Sequence, residues 1–194
     1  MSFINPQTQE INGKIVYCGP PFSGKTTNLS QIYERLAPGQ KGKLVSLAGG
    51  ENRTLFFDFL PLSLGEAKGK RLRLHLYTVP GQPQLEASRK MILKGVDGVV
   101  FVVDSQVDRL EAALESWKDL GSHLRELEID VTRFPIAVQF NKRDLKNGAP
   151  LSELKKLFPT VDGLQFESIA IRGEGVMETL QGVTKQVLKG LGMV

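Results

Sequence analysis

Gly19-Pro20-Pro21-Phe22-Ser23-Gly24-Lys25-Thr26 fits G-x-x-x-x-G-K-[ST] at every fixed position, and its reading decides the fold. The pattern belongs to a loop whose backbone N–H groups cradle phosphates. Ahead of it, Lys14-Ile15-Val16-Tyr17-Cys18 is a short β-branched and aromatic run with the composition of a buried strand. Behind it, Leu29, Ile32, Tyr33 and Leu36 share one face at helical spacing. Strand, glycine-bounded loop and helix, in that order, aim the loop amides and a helix N-terminus at an anion. Gly19, Ser23, Gly24 and Thr27 are therefore candidate phosphate contacts. Lys25 is placed to reach the β- and γ-phosphates, and the Thr26 hydroxyl to bind Mg²⁺. The alternative is a chance turn, and the flanking strand and helix argue against it.

Outward from this loop the chain alternates. Leu44-Val45-Ser46-Leu47 reads as a second strand, followed by a polar, glycine-rich stretch, Ala48 to Thr54, expected to be mobile. Leu55 to Leu60 reads as a buried strand carrying one carboxylate, Asp58. Arg71 to Tyr77 alternates strictly, so it forms a strand with one wet face, in a hairpin with Leu55–Leu60 through Gly65 and Lys68-Gly69. Pro80-Gly81-Gln82-Pro83 then precedes a helix from Gln84 to about Lys94, and Asp97–Asp104 is the continuous apolar strand of a parallel sheet. A long helix carries Leu110, Leu114, Trp117, Leu120, Leu124 and Leu127 on one stripe. Pro135–Phe140 is a further buried strand, Leu151–Phe158 a short helix, Gln165–Ala170 a last strand, and Val176, Leu180, Val183 and Val187 mark a closing helix. The sum is one α/β domain over residues 1–194: a doubly wound, mostly parallel sheet of six or seven strands with helices on both faces. Ligands of such sheets lie beyond the carboxyl ends of the strands. The loop at Gly19, Pro80-Gly81-Gln82 and Asn141-Lys142-Arg143-Asp144 all fall there.

The base follows from Asn141-Lys142-Arg143-Asp144, which fits N-K-x-D directly after a buried strand. A carboxylate accepts from guanine N1–H and its exocyclic amino group, for which adenine has no counterpart. An unmatched base leaves that carboxylate unpaired, which rejects it strongly. Asp144 is assigned that role, with Asn141 on the base edge and the Lys142 stem over the ring. The ligand is GTP or GDP rather than ATP.

With these motifs in place the chain resembles the small Ras-like GTPases. More narrowly, Gly24-Lys25-Thr26-Thr27-Asn28, Arg53 to Leu62, Leu76 to Gln82, Leu93 to Val102 and Asn141 to Leu145 resemble the MglA group of bacterial polarity GTPases. The resemblance implies a switch for gliding or pilus motility, a roadblock-type GTPase-activating partner (MglB) and effectors read in the GTP state. It implies Thr54 closing on Mg²⁺ and the γ-phosphate, Gly81 as a nucleotide contact, Gln82 orienting the attacking water, and Arg53 as an arginine finger supplied in cis. It also implies recruitment to a cell pole and a monomer when free.

Three positions depart from the Ras-like pattern. Thr78 replaces the usual Asp, as is common in the MglA group, and Asp58 is the candidate to substitute at the metal. Pro21 fixes φ and removes a donor in the phosphate loop. Ile169-Ala170-Ile171 replaces Ser-Ala-Lys, leaving the Ala170 backbone N–H as the expected base contact. A GTP-holding scaffold with negligible hydrolysis is the second reading, and an ATP-dependent kinase or motor the third.

Composition agrees. With 41% apolar and 24% charged residues the chain suits a globular domain, and its +4 formal charge is scattered rather than blocked, which argues against nucleic acid. A lone cysteine, Cys18, in the apolar first strand fits a reducing, cytoplasmic setting. No apolar run is long enough for a membrane span, and no lipid-anchor motif is present.

Overall fold

The computed structural model describes residues 3–5, 10–49, 53–67, 69–82, 85–160 and 163–193, of which 3–5, 47–49, 53–56 and 67 are described by backbone alone. The strands are β1 Phe3–Asn5, β2 Glu10–Cys18, β3 Val45–Gly49, β4 Arg53–Ala67, β5 Lys70–Thr78, β6 Gly98–Asp104, β7 Ile136–Asn141 and β8 Gln165–Glu167. The helices are α1 Lys25–Arg35, α2 Glu86–Leu93, α3 Leu110–Glu126, α4 Leu151–Leu157 and α5 Val176–Gly190.

Seven strands run β3-β4-β5-β2-β6-β7-β8, and β1 adds an antiparallel pair to β2. From β5 to β8 the pairs are parallel; β3, β4 and β5 form antiparallel pairs. β2 is the hinge of the topology. β3, β4 and β5 lie to one side of it and β6, β7 and β8 to the other, so the loop after β2 opens at the switch point where doubly wound sheets bind ligands.

Period-2 alternation builds the two cores. Ile15, Tyr17, Leu74, Leu76, Val100 and Val102 face α1 and α5, meeting Leu29, Ile32, Val176 and Val183. Val16, Val99, Phe101, Val103 and Phe140 face the other way, against Leu93, Leu120, Leu124 and Phe158. Each fully buried chain of this size contributes roughly 1.5–3 kcal/mol of transfer free energy. Trp117 packs edge-on against Phe101 with ring centroids 4.9 Å apart, the core role its stripe predicts.

Several expected boundaries move. The first strand begins at Glu10, not Lys14, because the polar residues Glu10 and Asn12 occupy one face while Ile11 and Ile15 occupy the other. The stretch expected to be mobile is partly strand: Ala48 pairs with Thr54 and Gly49 with Arg53, while residues 50–52 lie outside the described set. Gly65 belongs to β4, at a register shift between Ser63 and Glu66, and Ala67 pairs with Lys70, so the hairpin turns between these two; Lys68 lies outside the described residues. α2 begins at Glu86; Gln84 lies outside the described residues. β8 stops at Glu167, since Ser168 to Arg172 turn toward the ligand rim.

Candidate functional site

The phosphate loop is closed by two glycines that no other residue could replace cheaply. Gly19 has φ +133°, and a Cβ there would lie 2.3 Å from the Val102 carbonyl oxygen. Gly24 has φ +107°, and a Cβ there would lie 2.2 Å from Asn141 Nδ2. Phe22 between them also takes a left-handed φ of +62° with its ring 63% exposed. Lys25 opens α1 and folds back over the loop, donating to the carbonyls of Gly19 at 2.9 Å and Pro20 at 2.7 Å. Burial lowers its pKa from 10.5 to about 8, against the opposing pull of Cys18 and Asp58. Cys18 beneath it is pushed up to about 12 by burial, so it is a core thiol and not a reactive one.

Beside the loop lies a buried carboxylate. Asp58, 1% exposed, accepts from Thr26 Oγ1 at 2.6 Å, Thr78 Oγ1 at 2.8 Å and Ser46 Oγ at 2.5 Å. Its own backbone N–H donates to Thr78 Oγ1 at 2.8 Å. Thr78 stands at the end of β5 with Asp58 across from it, so the carboxylate absent from position 78 is brought to the same spot from β4. The donors here are all oxygen, with one carboxylate and several hydroxyls. That set suits Mg²⁺, which is usually held by one or two carboxylates together with substrate phosphates and waters. Among the described residues no group of three or more His, Cys, Asp or Glu is placed to hold a metal.

The base end is joined to the phosphate loop by one side chain. Asn141, at the end of β7, donates to the Ser23 carbonyl at 2.8 Å and accepts from the Ala170 N–H at 2.8 Å and from Ser168 Oγ at 3.1 Å. Asn141 and the Ala170 N–H, both expected at the base edge, are thus bonded to each other. Lys142, at φ +63°, places Nζ 2.6 Å from Asp104 Oδ2 at the end of β6. Asp144 stands at the same rim, its nearest cation Arg172 at 4.0 Å, leaving its carboxylate with acceptor capacity. Arg143 points away, to Glu167 and the Ala149 carbonyl.

Pro80-Gly81-Gln82 meets the loop from the hairpin side. A Cβ on Gly81 would lie 2.5 Å from the Pro21 backbone nitrogen, so only glycine lets the two backbones approach this closely. The Gln82 carbonyl accepts from Arg89 of α2 at 2.5 Å. Thr27 is half-buried in the first turn of α1, and Ser23 Oγ is buried without a hydrogen-bond partner among the described residues. Arg53 and Thr54 begin β4; their side chains lie outside the described set.

Sequence reading missed a second layer beneath the loop. Asn28 of α1 and Gln139 of β7, both fully buried, exchange hydrogen bonds at 2.8 and 3.0 Å. Asn28 also donates to the Gly24 carbonyl, and Gln139 to Thr179 of α5. Amides at two otherwise apolar positions were the available signal. Ser46 carried none.

A P-loop at the switch point, a guanine-type N-K-x-D rim and an oxygen-lined pocket between them define a small GTPase. The family profile agrees: the ADP-ribosylation factor family matches residues 2–187, and the chain belongs to that family. It is 53% identical over 191 residues to the mutual gliding-motility protein MglA of Myxococcus xanthus, covering 98% of each chain. It is also 34% identical over 182 residues to ADP-ribosylation factor-like protein 4C of Homo sapiens, covering 90% of this chain and 86% of that one. The chain therefore binds guanine nucleotide and is a GTP hydrolase by family. No helix among the described residues is long and apolar enough to cross a membrane.

Proposed function

We propose that the chain is a nucleotide switch governing cell polarity and motility, by gliding or type IV pili; the name of its Myxococcus relative supports the gliding part of this reading. It binds GTP or GDP with Mg²⁺, hydrolyses GTP slowly, and reports the bound nucleotide to partners. One observation carries this reading. Strand β4 puts Asp58 inward against Thr26, while its neighbours Phe57 and Phe59 face outward and pack against Tyr77 at centroid distances of 5.9 and 4.8 Å. Residues of alternate parity on one strand point to opposite faces. Any displacement of β4 by the γ-phosphate therefore moves the metal-side carboxylate and the outer aromatic face together.

The assignments at the reacting end are proposals of the same kind. Thr26 and Asp58 would hold Mg²⁺, with Thr54 added from β4 in the GTP state; the metal supplies charge neutralisation at the phosphate oxygens. Lys25 supplies a fixed positive charge, drawn from the Gly19 and Pro20 carbonyls to the phosphates. Gln82 orients water and Arg53 neutralises developing charge. Asp144 reads guanine, with Asn141 holding the phosphate loop and the Ala170 segment in register and the Lys142 stem over the ring. The outer aromatic face is the surface this reading gives to a roadblock-type activating partner like MglB. The protein acts in the cytoplasm, monomeric when free, and reaches a cell pole through partners.

A scaffold that keeps GTP unhydrolysed is the second reading. It is favoured by Pro21, which removes an amide donor from the phosphate loop.

A single-turnover assay with Mg²⁺, loading GTP or ATP and following bound nucleotide and released phosphate by chromatography, tests both. The switch requires GTP selectivity and slow conversion to GDP, slowed about tenfold or more by Gln82→Ala and by Arg53→Ala. GTP left intact for hours, alone and with a roadblock-type partner, supports the scaffold. Retention of neither nucleotide removes the central claim.

A further inference from the structure

At the opposite end of the sheet from the nucleotide rim, a cleft of about 370 Å³ opens between the C-terminal half of α3, the chain leading into β7, and the end of α4. Its walls are Trp117, Leu120, Leu124, Val131, Phe134 and Ile136. Ile136 is the first residue of β7, which fixes the cleft at the amino end of the strands. A concave, mostly apolar site of this volume lies at the small end of the range for small-molecule pockets, about 300–1,000 Å³.

Three further features point to an occupant. First, the mouth is cationic: Lys118 and Arg125 line it, and no acidic residue does so among the described residues. Among the described residues the Arg125 guanidinium meets only Ser122 Oγ, at 3.3 Å, and no ion pair holds Lys118. Second, Thr160 lines the cleft with its hydroxyl oxygen buried and unpartnered among the described residues. An unmatched buried hydroxyl is unfavourable, and because this oxygen is closed to water-sized contact a ligand would meet it only once the Thr160 side chain turns into the cleft. Third, Gly121 stands in the C-terminal half of α3, where glycine is a poorer helix former than alanine. A Cβ there would touch nothing closer than the Arg125 guanidinium at 3.7 Å. Neither backbone nor packing asks for glycine at this position; what its missing side chain leaves open is the cleft.

We propose that this cleft binds a medium-chain fatty acid, its acyl chain on Trp117, Leu124 and Phe134 and its carboxylate between Lys118 and Arg125. An acidic amphipathic helix, the other anion with an apolar face, needs anchors recurring over two or more turns. A single concavity of this size favours the one-chain ligand.

Trp117 is the only tryptophan in the chain, so its emission reports the cleft directly. The full-length protein loaded with GDP is titrated with dodecanoate below its micellar concentration, and binding is checked by equilibrium dialysis of radiolabelled dodecanoate. Saturable binding at one site is expected, at about 10 µM or below. Gly121→Leu, which the open space accommodates, abolishes it. Lys118→Glu combined with Arg125→Glu weakens it by about tenfold or more. Unchanged GDP retention shows that these variants are folded. No saturable binding, equal binding of dodecylamine, full binding by Gly121→Leu, or capture of an acidic helical peptide without dodecanoate would each overturn the proposal.

Discussion

The two flanks of β2 hold the nucleotide site by opposite means. On the base side, β6, β7 and β8 are parallel and held by amides: Asn141 ties three segments, and Asn28 with Gln139 and Thr179 ties two helices to β7 beneath them. On the hairpin side, β3, β4 and β5 are antiparallel, with register shifts in both pairings, and the link to the loop is hydroxyls on one carboxylate. An amide that donates and accepts in fixed directions specifies one geometry. A carboxylate with several hydroxyl donors can exchange any of them for a cation. Under the proposed function, the difference gives selection and retention of the base to one flank and response to the phosphate to the other.

The sharpest way to break this comparison is Asp144→Ala. Its carboxylate has little structural duty, so the fold should persist while preference for GTP over ATP falls by about a thousandfold or more in competition binding. Asn141→Ala comes next. It orphans the Ser23 carbonyl and the Ala170 N–H, and should cost about 3 kcal/mol, a fall in Tm of roughly 10 °C in the nucleotide-free protein. A mutant with unchanged Tm and altered hydrolysis alone would contradict the division of labour.

Lys25 gives a pH test at the junction of the two flanks. Its folded pKa of about 8 lies below the ordinary 10.5, so between those values the unfolded chain binds more protons. The empty protein should therefore gain stability as pH rises through that window and lose none below it. Nucleotide phosphates favour the charged amine, so binding takes up a proton above pH 8, and affinity should fall by up to about tenfold per pH unit there. Calorimetry in buffers of different ionisation enthalpy measures that uptake. The smallest effect is Phe22→Gly, which relieves a left-handed φ on the phosphate loop and should change stability by about 1 kcal/mol or less.

Much of this was legible in the residues because phosphate binding constrains the backbone. Gly19 and Gly24 must be glycine for reasons visible in their φ angles, and the role proposed for Asp144 follows from the base's own donors. The role of Asn141 was legible only in part. Its motif named it, but the Ser23 carbonyl it holds is 118 residues away, and no local pattern encodes that approach. Asp58 was singled out through a gap, since Thr78 stands where a carboxylate is usual, and the structure bonds Asp58 to both Thr78 and Thr26. Residues 53 and 54 show the limit of composition: glycine and polar residues around them suggested a loop, yet the backbone at these two positions pairs with β3. Strand pairing is decided by the partner available, which a local window does not contain.

The Asn141 amide has a mechanical consequence. Because its two ends grip the phosphate loop and the Ala170 segment at once, the pocket has a keystone rather than two independent jaws. A protein that needs to empty this pocket has no reason to reach into it. Levering the Ala170 segment outward by an ångström or two from the solvent side would strip Asn141 of one hold and slacken the other, and the phosphates would be let go from the end where no phosphate is bound.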